Sequence, residues 1–291
     1  MNENYGNINE LENRLKQIEE TADRQDVENR LAEELKYYKG DDEIIHFKDV
    51  QEQERKINYS SGLHKLDNLI EGFHESDLIV VTGPTGQGKT TLLQTFTIAL
   101  SKQKIKSLWF TYEVSIWNLI RNFGSSIPDG YTPKTLRENS IIWIERRIVE
   151  AIVKFGVKAV FIDPFNSLTK FSSPRLSQEL GDLSERLKQI ALKYNIILFV
   201  SAHSRRLSQD EIVSEDSIRD TALLGNKADS IIALWRNRKK QTKADLLENG
   251  IIYKNESTLS VAKNRLNGKT GFVKVIHDGN KFLVMDDSIQ S

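Results

Sequence analysis

Gly83-Pro84-Thr85-Gly86-Gln87-Gly88-Lys89-Thr90 follows directly on the apolar run Leu78-Ile79-Val80-Val81. The spacing G-x-x-x-x-G-K-[ST] is that of a phosphate-cradling P-loop. Glycines let successive backbone N–H groups curl toward an anion, and a helix beginning here adds its positive dipole end. Lys89 would reach the β- and γ-phosphates, the Thr90 hydroxyl would ligate Mg²⁺, and Thr91 continues the cradle. A Gly-rich turn can match by chance, but both required flanks are present, an apolar strand before and a helix over Thr91–Leu100 after. The motif therefore predicts nucleoside triphosphate binding, with ATP and Mg²⁺ as the expected pair.

Hydrolysis needs more: a metal carboxylate, a group that orients or deprotonates water, and a positive charge at the γ-phosphate. Asp163 closes Val160-Phe161-Ile162-Asp163, a strand ending in a carboxylate that can hold Mg²⁺ through water; a cap or turn before Pro164 is the plainer role. Glu113 ends Leu108-Trp109-Phe110-Thr111-Tyr112-Glu113 and can serve as general base, or simply as an exposed strand-end acid. His203, after Leu198-Phe199-Val200-Ser201-Ala202, can sense the γ-phosphate, although a lone His is as readily structural.

These residues need strands to carry them to one crevice. Apolar runs at Leu78–Val81, Ser107–Tyr112, Ala159–Ile162 and Ile196–Ser201 alternate with amphipathic stretches, of which Ile141–Phe155 and Gln178–Tyr194 are the clearest. That alternation predicts an α/β fold with a mainly parallel sheet covered on both faces, its ligand at the carboxyl ends of the strands. After Ala228 the runs become short and β-rich (Ser230–Trp235, Thr258–Ala262, Gly271–Ile276, Lys281–Met285), with turns at Gly268 and Asp278-Gly279. They predict C-terminal antiparallel hairpins.

The ATPase body is expected over 57–291. Residues 1–56 read as an N-terminal helical extension and linker. Within it, Asn7–Tyr38 carries a narrow apolar stripe of Leu11, Leu15, Ile18 and Ala22, resuming at Val27, Leu31 and Leu35. A stripe that narrow suits docking on another surface, its own domain or a neighbouring subunit. The zero net charge hides an asymmetry: Met1–Ser60 holds 16 acidic and 9 basic residues, leaving 25 and 32 in the rest. Basic residues concentrate at Arg205-Arg206 and from Arg236 to Lys240; they can attract a polyanion or form a solvated loop. Polar 205–221 reads as a long functional loop, and Lys170 and Arg175 lie on a second. Two basic loops on one face can grip a single-stranded backbone, and with only Phe165 and Phe171 nearby the binding would show little base preference. No apolar run approaches membrane-spanning length, no signal peptide is apparent, and the chain has no cysteine. A cytoplasmic protein is expected.

Taken in order, Gly83–Thr90, Glu113, Asp163, His203 and Lys263-Asn264-Arg265 resemble the RecA-fold motor domain of DnaB-type replicative helicases, including the phage and mitochondrial Twinkle branches. The likeness starts at Ser61-Gly62-Leu63-His64-Lys65-Leu66-Asp67, takes in Gly72-Phe73, and runs through the last hairpins, about four-fifths of the chain. It implies a RecA-like P-loop NTPase that works as a hexameric ring on single-stranded DNA, with a primase or loader as replication partner; the alternative is a RecA/RadA- or KaiC-like ATPase, or a helicase-loading factor, that binds ATP and DNA or partners without unwinding. It implies that Lys263 and Arg265 reach a neighbour's nucleotide, Arg265 as an arginine finger; without the resemblance they read as a basic strand edge. It implies that Arg219-Asp220 begins the segment that follows the second DNA-binding loop; Lys170, Arg175, Arg205, Arg206 and Arg219 are the expected strand contacts. His203 stands where bacterial members carry Gln, a departure shared with the phage branch.

Overall fold

The apolar strands assemble into one nine-stranded sheet in a computed structural model of the chain. The structure describes residues 58–125, 127–136, 138–168, 176–203, 222–239, 252–279 and 281–285, together with 33, 46 and 48. Chain contacts divide the molecule into two units, Met1–Arg55 and Lys56–Ser291. In the first, Glu33 is helical and the Lys48 amide donates to His46 Nδ1 (3.1 Å). The rest of the stripe over Asn7–Tyr38 lies outside the described residues.

In the second unit, α1 (His64–Ile70) leads into β1 (Leu78–Gly83) and α2 (Lys89–Lys102). Then come β2 (Ser107–Thr111), α3 (Ile116–Asn122), the two-residue β3 (Gly130–Tyr131), α4 (Ile141–Phe155) and β4 (Ala159–Asp163). A 3₁₀ turn (Phe165–Leu168), α5 (Leu176–Lys193), β5 (Ile197–His203) and α6 (Ala222–Lys227) follow. The chain closes with β6 (Ser230–Arg238), β7 (Tyr253–Asn264), β8 (Gly271–Asp278) and β9 (Lys281–Val284). The strand order is β3-β2-β4-β5-β1-β6-β7-β8-β9. All pairs from β3 to β6 are parallel; β7, β8 and β9 add antiparallel.

The parallel strands read as unbroken apolar runs because each has two buried faces. Successive residues serve opposite sides: Ile79, Val81, Phe161 and Phe199 pack on one face, Val80, Val160, Ile162 and Val200 on the other. On the first face Trp109, Phe161 and Phe199 stand in register across β2, β4 and β5. Their rings stack at 4.8 and 4.5 Å, and Phe73 meets Phe199 edge-on at 4.8 Å. Each such ring pair adds about 0.5–1.5 kcal/mol beyond its buried area. On the second face α4 turns Ile144, Ile148 and Ala151 inward. Its ends are set by sequence: the Ser140 hydroxyl accepts from Trp143 N–H, and Gly156 takes the left-handed φ of 70° that closes a helix. This rigid sheet brings the carboxyl ends of β1, β2, β4 and β5 to one edge.

Candidate active site

Gly83 ends β1 opposite His203 of β5, and Thr111 of β2 pairs with Asp163 of β4, so the ends of four strands meet. The loop between β1 and α2 depends on glycine where neighbours crowd it. At Gly83 (φ 152°) a Cβ would drive into the Leu234 carbonyl oxygen; at Gly88 (φ 101°) it would sit 3.1 Å from Phe282 Cζ. Phe282 is itself buried and pinned to α2, its N–H donating to Thr95 Oγ1 (2.9 Å). Gln87, also buried, accepts from the Arg236 N–H through Oε1 (2.8 Å), tying the loop to β6. The tip residues Thr85 and Gly86 are exposed, and the space beside Gly86 is open.

Inside the cradle Lys89 is only 6% exposed, its Nζ donating to the carbonyls of Gly83 (2.9 Å) and Pro84 (3.0 Å). Burial lowers its pKa, and the nearby charges of Asp163 and Glu113 oppose that shift. Thr90 Oγ1 donates to Asp163 Oδ2 at 2.7 Å, and Ser201 Oγ donates to Asp163 Oδ1. Asp163 is buried, so its lone pairs need these two hydroxyls. A Thr hydroxyl beside a carboxylate is a hard oxygen set of the kind Mg²⁺ takes, with phosphates and water filling the remaining positions. His203 links two features: Nδ1 lies 3.3 Å from Thr85 Oγ1 at the loop tip, and Nε2 lies 3.9 Å from Glu113 Oε2. Burial and then the Lys89 charge lower its pKa, against the pull of Glu113 and Asp163, which favours neutral imidazole near neutral pH. Glu113 stays exposed, able to meet water.

The residues from Gly83 to Thr91 thus share one crevice with Glu113, Asp163 and His203. Lys263 and Arg265 do not. The start of β6 runs beside the start of β1 (Ile79 with Ser230), and β7 returns antiparallel, with Ile231 opposite Lys263 and Ser230 opposite Asn264. Lys263 and Arg265 therefore stand at the amino-end edge of the sheet, the length of β1 away from the cradle. Asn264 between them is buried, donating to Leu69 O (3.1 Å) and Asn267 Oδ1 (2.6 Å). Lys170, Arg175, Arg205, Arg206 and Arg219 lie outside the described residues. Phe165 is buried in the core and thus unavailable to stack on a base, in keeping with the expected scarcity of stacking residues. Sequence reasoning passed over Ser201, Gln87's bond to β6, Asn264 and Phe282. A hydroxyl two residues before His203 was the one available signal for Ser201.

Residues 59–127 and 132–284 match the profile of the DnaB-like helicase C-terminal domain. The chain belongs to that family. Among DnaB-like relatives, it is 25% identical over 265 residues to a probable replicative DNA helicase of Trieres chinensis, covering 76% of this chain and 55% of the relative. It is 26% identical over 259 residues to the replicative DNA helicase DnaB of Mycoplasma genitalium, covering 74% and 53%. The chain thus spans about half the length of these relatives. A shorter stretch of 74 residues is 35% identical to the circadian clock oscillator protein KaiC of Synechococcus elongatus, covering 25% of this chain and 14% of that protein. Two solved structures share the fold. The ATPase domain of G40P superposes with a TM-score of 0.65 at 18% identity, over 79% of this chain and 92% of that one. A DnaB-like replicative helicase, described with its primase interactions, superposes at 0.66 and 17%, over 95% and 75%. Sheet order and hairpins accord with the RecA-like α/β fold expected for a DnaB-like domain. No helix among the described residues is long and apolar enough to cross a membrane.

Proposed function

We propose that this chain is the ATP-hydrolysing motor of a replicative-type helicase and moves along single-stranded DNA as part of a hexameric ring. The observation that carries this reading is the division of the catalytic set. Cradle, carboxylates and His203 occupy one edge of the sheet, while Lys263 and Arg265 occupy the opposite edge. A cation meant for the γ-phosphate can then act only on the nucleotide of another copy. Head-to-tail repetition of such a contact gives a ring when the rotation between copies closes and a filament when it does not; the DnaB-like family favours the ring.

In this mechanism the backbone amides of Gly86–Thr90 and the Lys89 ammonium hold the β- and γ-phosphates. Thr90 and Asp163 would hold Mg²⁺, which would supply positive charge against the phosphates, and Ser201 keeps the Asp163 carboxylate turned to the site. Glu113 orients and deprotonates the attacking water. His203, between Glu113 and the loop tip, reports the γ-phosphate to the base. Arg265 of the neighbour, with Lys263, spreads positive charge over the transferring phosphoryl group, a task suited to a planar guanidinium that never deprotonates. Lys170, Arg175, Arg205, Arg206 and Arg219 contact the strand through its phosphates. A primase or a loader fits as partner, given the primase named with one related structure, and such a motor works in the cytoplasm.

The KaiC likeness supports a second reading, an ATPase that assembles without unwinding. Strand displacement on a forked duplex, with Lys89→Ala as control and particle mass measured alongside, separates them. The helicase reading predicts ATP-dependent displacement by a ring; DNA-stimulated hydrolysis without displacement, in a filament, contradicts it.

A further inference from the structure

The two cations at the amino-end edge are engaged within their own protomer, and what they hold is the end of a helix. α6 stops at Lys227, and the carbonyls of its last turn have no further turn to accept from. Lys263 Nζ donates to the carbonyls of Gly225 (2.8 Å) and Asn226 (3.3 Å). Arg265 donates through Nη2 to Asn226 O (2.5 Å) and through Nη1 to Lys227 O (3.4 Å). Cations belong at such a helix end, where they meet both lone pairs and the negative end of the dipole.

Asp229, two residues on, organises this cap. Its carbonyl accepts from the Arg265 N–H (2.8 Å), which fixes the backbone of the finger. Its carboxylate lies 3.8 Å from Arg265 Nη1. Oδ2 also accepts from Lys188 Nζ (2.6 Å) and from the N–H of Leu78 (2.7 Å), the residue that opens the P-loop strand. The Arg265 side chain is 46% exposed while that of Asp229 is 18% exposed. The guanidinium can therefore leave, and Lys188 keeps the carboxylate compensated when it does.

We infer that Asp229 is a positioning residue that parks Arg265 on the end of α6, so that engaging a neighbour's phosphates requires release of this cap. The inference rests on the proposed action of Arg265 across the interface. Nη1 and Nη2 are the fork that grips an oxyanion bidentately, and here they are turned onto the carbonyls of Lys227 and Asn226, so a two-pronged grip on a phosphate competes with the parked arrangement, and differential contacts set the balance. Asp229 then restrains hydrolysis while the finger is parked, and the DNA-driven motor works in the released arrangement.

Asp229→Asn keeps an acceptor for Leu78 N–H and removes the charge beside Arg265. In the full chain, hydrolysis without DNA should rise about three- to tenfold, while the rate with saturating oligothymidylate stays within about twofold. Asp229→Glu should restore the wild-type ratio. An unchanged ratio in a folded Asp229→Asn protein overturns the inference. Arg265→Ala separates the two readings: if it hydrolyses ATP like wild type, the finger reading itself has failed. If it is inactive while Asp229→Asn behaves as wild type, only the parking is wrong. Should Asp229→Asn not fold, a reporter decides. The chain has no cysteine, so Asn226→Cys places one dye at an exposed position against Arg265. A non-hydrolysable ATP analogue should change its emission in the assembled protein but not in an Arg265→Ala background. No change in either overturns the inference.

Discussion

Ser201→Ala removes one hydroxyl from the least exposed part of the site. Ser201 and Asp163 are both almost fully buried, and the carboxylate takes one hydroxyl on each oxygen, Ser201 on Oδ1 and Thr90 on Oδ2. A hydrogen bond to a charged group contributes about 1.5–3 kcal/mol, against about 0.5–1.5 for a neutral pair. The variant should therefore lose about 1.5–3 kcal/mol of stability at neutral pH. For a domain of this size that lowers the thermal midpoint by roughly 3–12 °C. Calorimetry without nucleotide gives the loss directly, and a cycle with Asp163→Asn tests its origin, since the cost of Ser201→Ala should fall to about 0.5–1.5 kcal/mol once the charge is gone. Nucleotide affinity in the presence of Mg²⁺ should weaken in the Ser201→Ala protein. A loss under about 0.5 kcal/mol, or an equal loss in both backgrounds, would refute the assignment of Ser201 as the support of Asp163.

Two further outcomes follow from the site. His203 has its pKa lowered below the ordinary 6.5, chiefly by burial. Its neutral form thus favours the folded state, a contribution present above the unfolded pKa and lost as pH falls through the folded value; wild-type thermal midpoint and hydrolysis should drop on acidification below about 6.5, and His203→Gln should flatten that part of both profiles. Gly83→Ala forces a methyl into the Leu234 carbonyl from a backbone that L residues avoid. It should cost about 1–3 kcal/mol or more and abolish binding of a fluorescent ATP analogue; retained affinity would show that the loop entry is not held as described.

Much of this site was legible because its parts are local. The P-loop is eight consecutive residues, and β1, β4 and β5 announce themselves as apolar runs that end at Gly83, Asp163 and His203. Ile141–Phe155 could be bounded to the residue, because Ser140 and Gly156 supply its cap and stop. What the sequence withheld depends on sheet order. Ser201 and Asp163 are 38 residues apart, and only the adjacency of β4 and β5 joins them. Phe282 reaches the underside of Gly88 only because β9 folds back over α2. β3 has two residues, too few for any periodicity, and the mixed sequence Ile116–Asn122 has a single buried position, Leu119. Asn264 looked like a spacer between two cations, yet its buried amide holds that turn against α1.

The central claim is that each nucleotide site is shared between copies, and mixing two inactive variants tests it most directly. Glu113→Gln removes the base and Arg265→Ala removes the finger, each silencing its homogeneous assembly. In a one-to-one mixture, the interface that joins Glu113 of an Arg265→Ala copy to Arg265 of a Glu113→Gln copy is intact. Random head-to-tail assembly makes that pairing at about one quarter of the interfaces. The mixture should therefore regain up to about a quarter of the wild-type hydrolysis rate. A mixture no more active than its separate components, or wild-type hydrolysis by Arg265→Ala alone, would contradict the account.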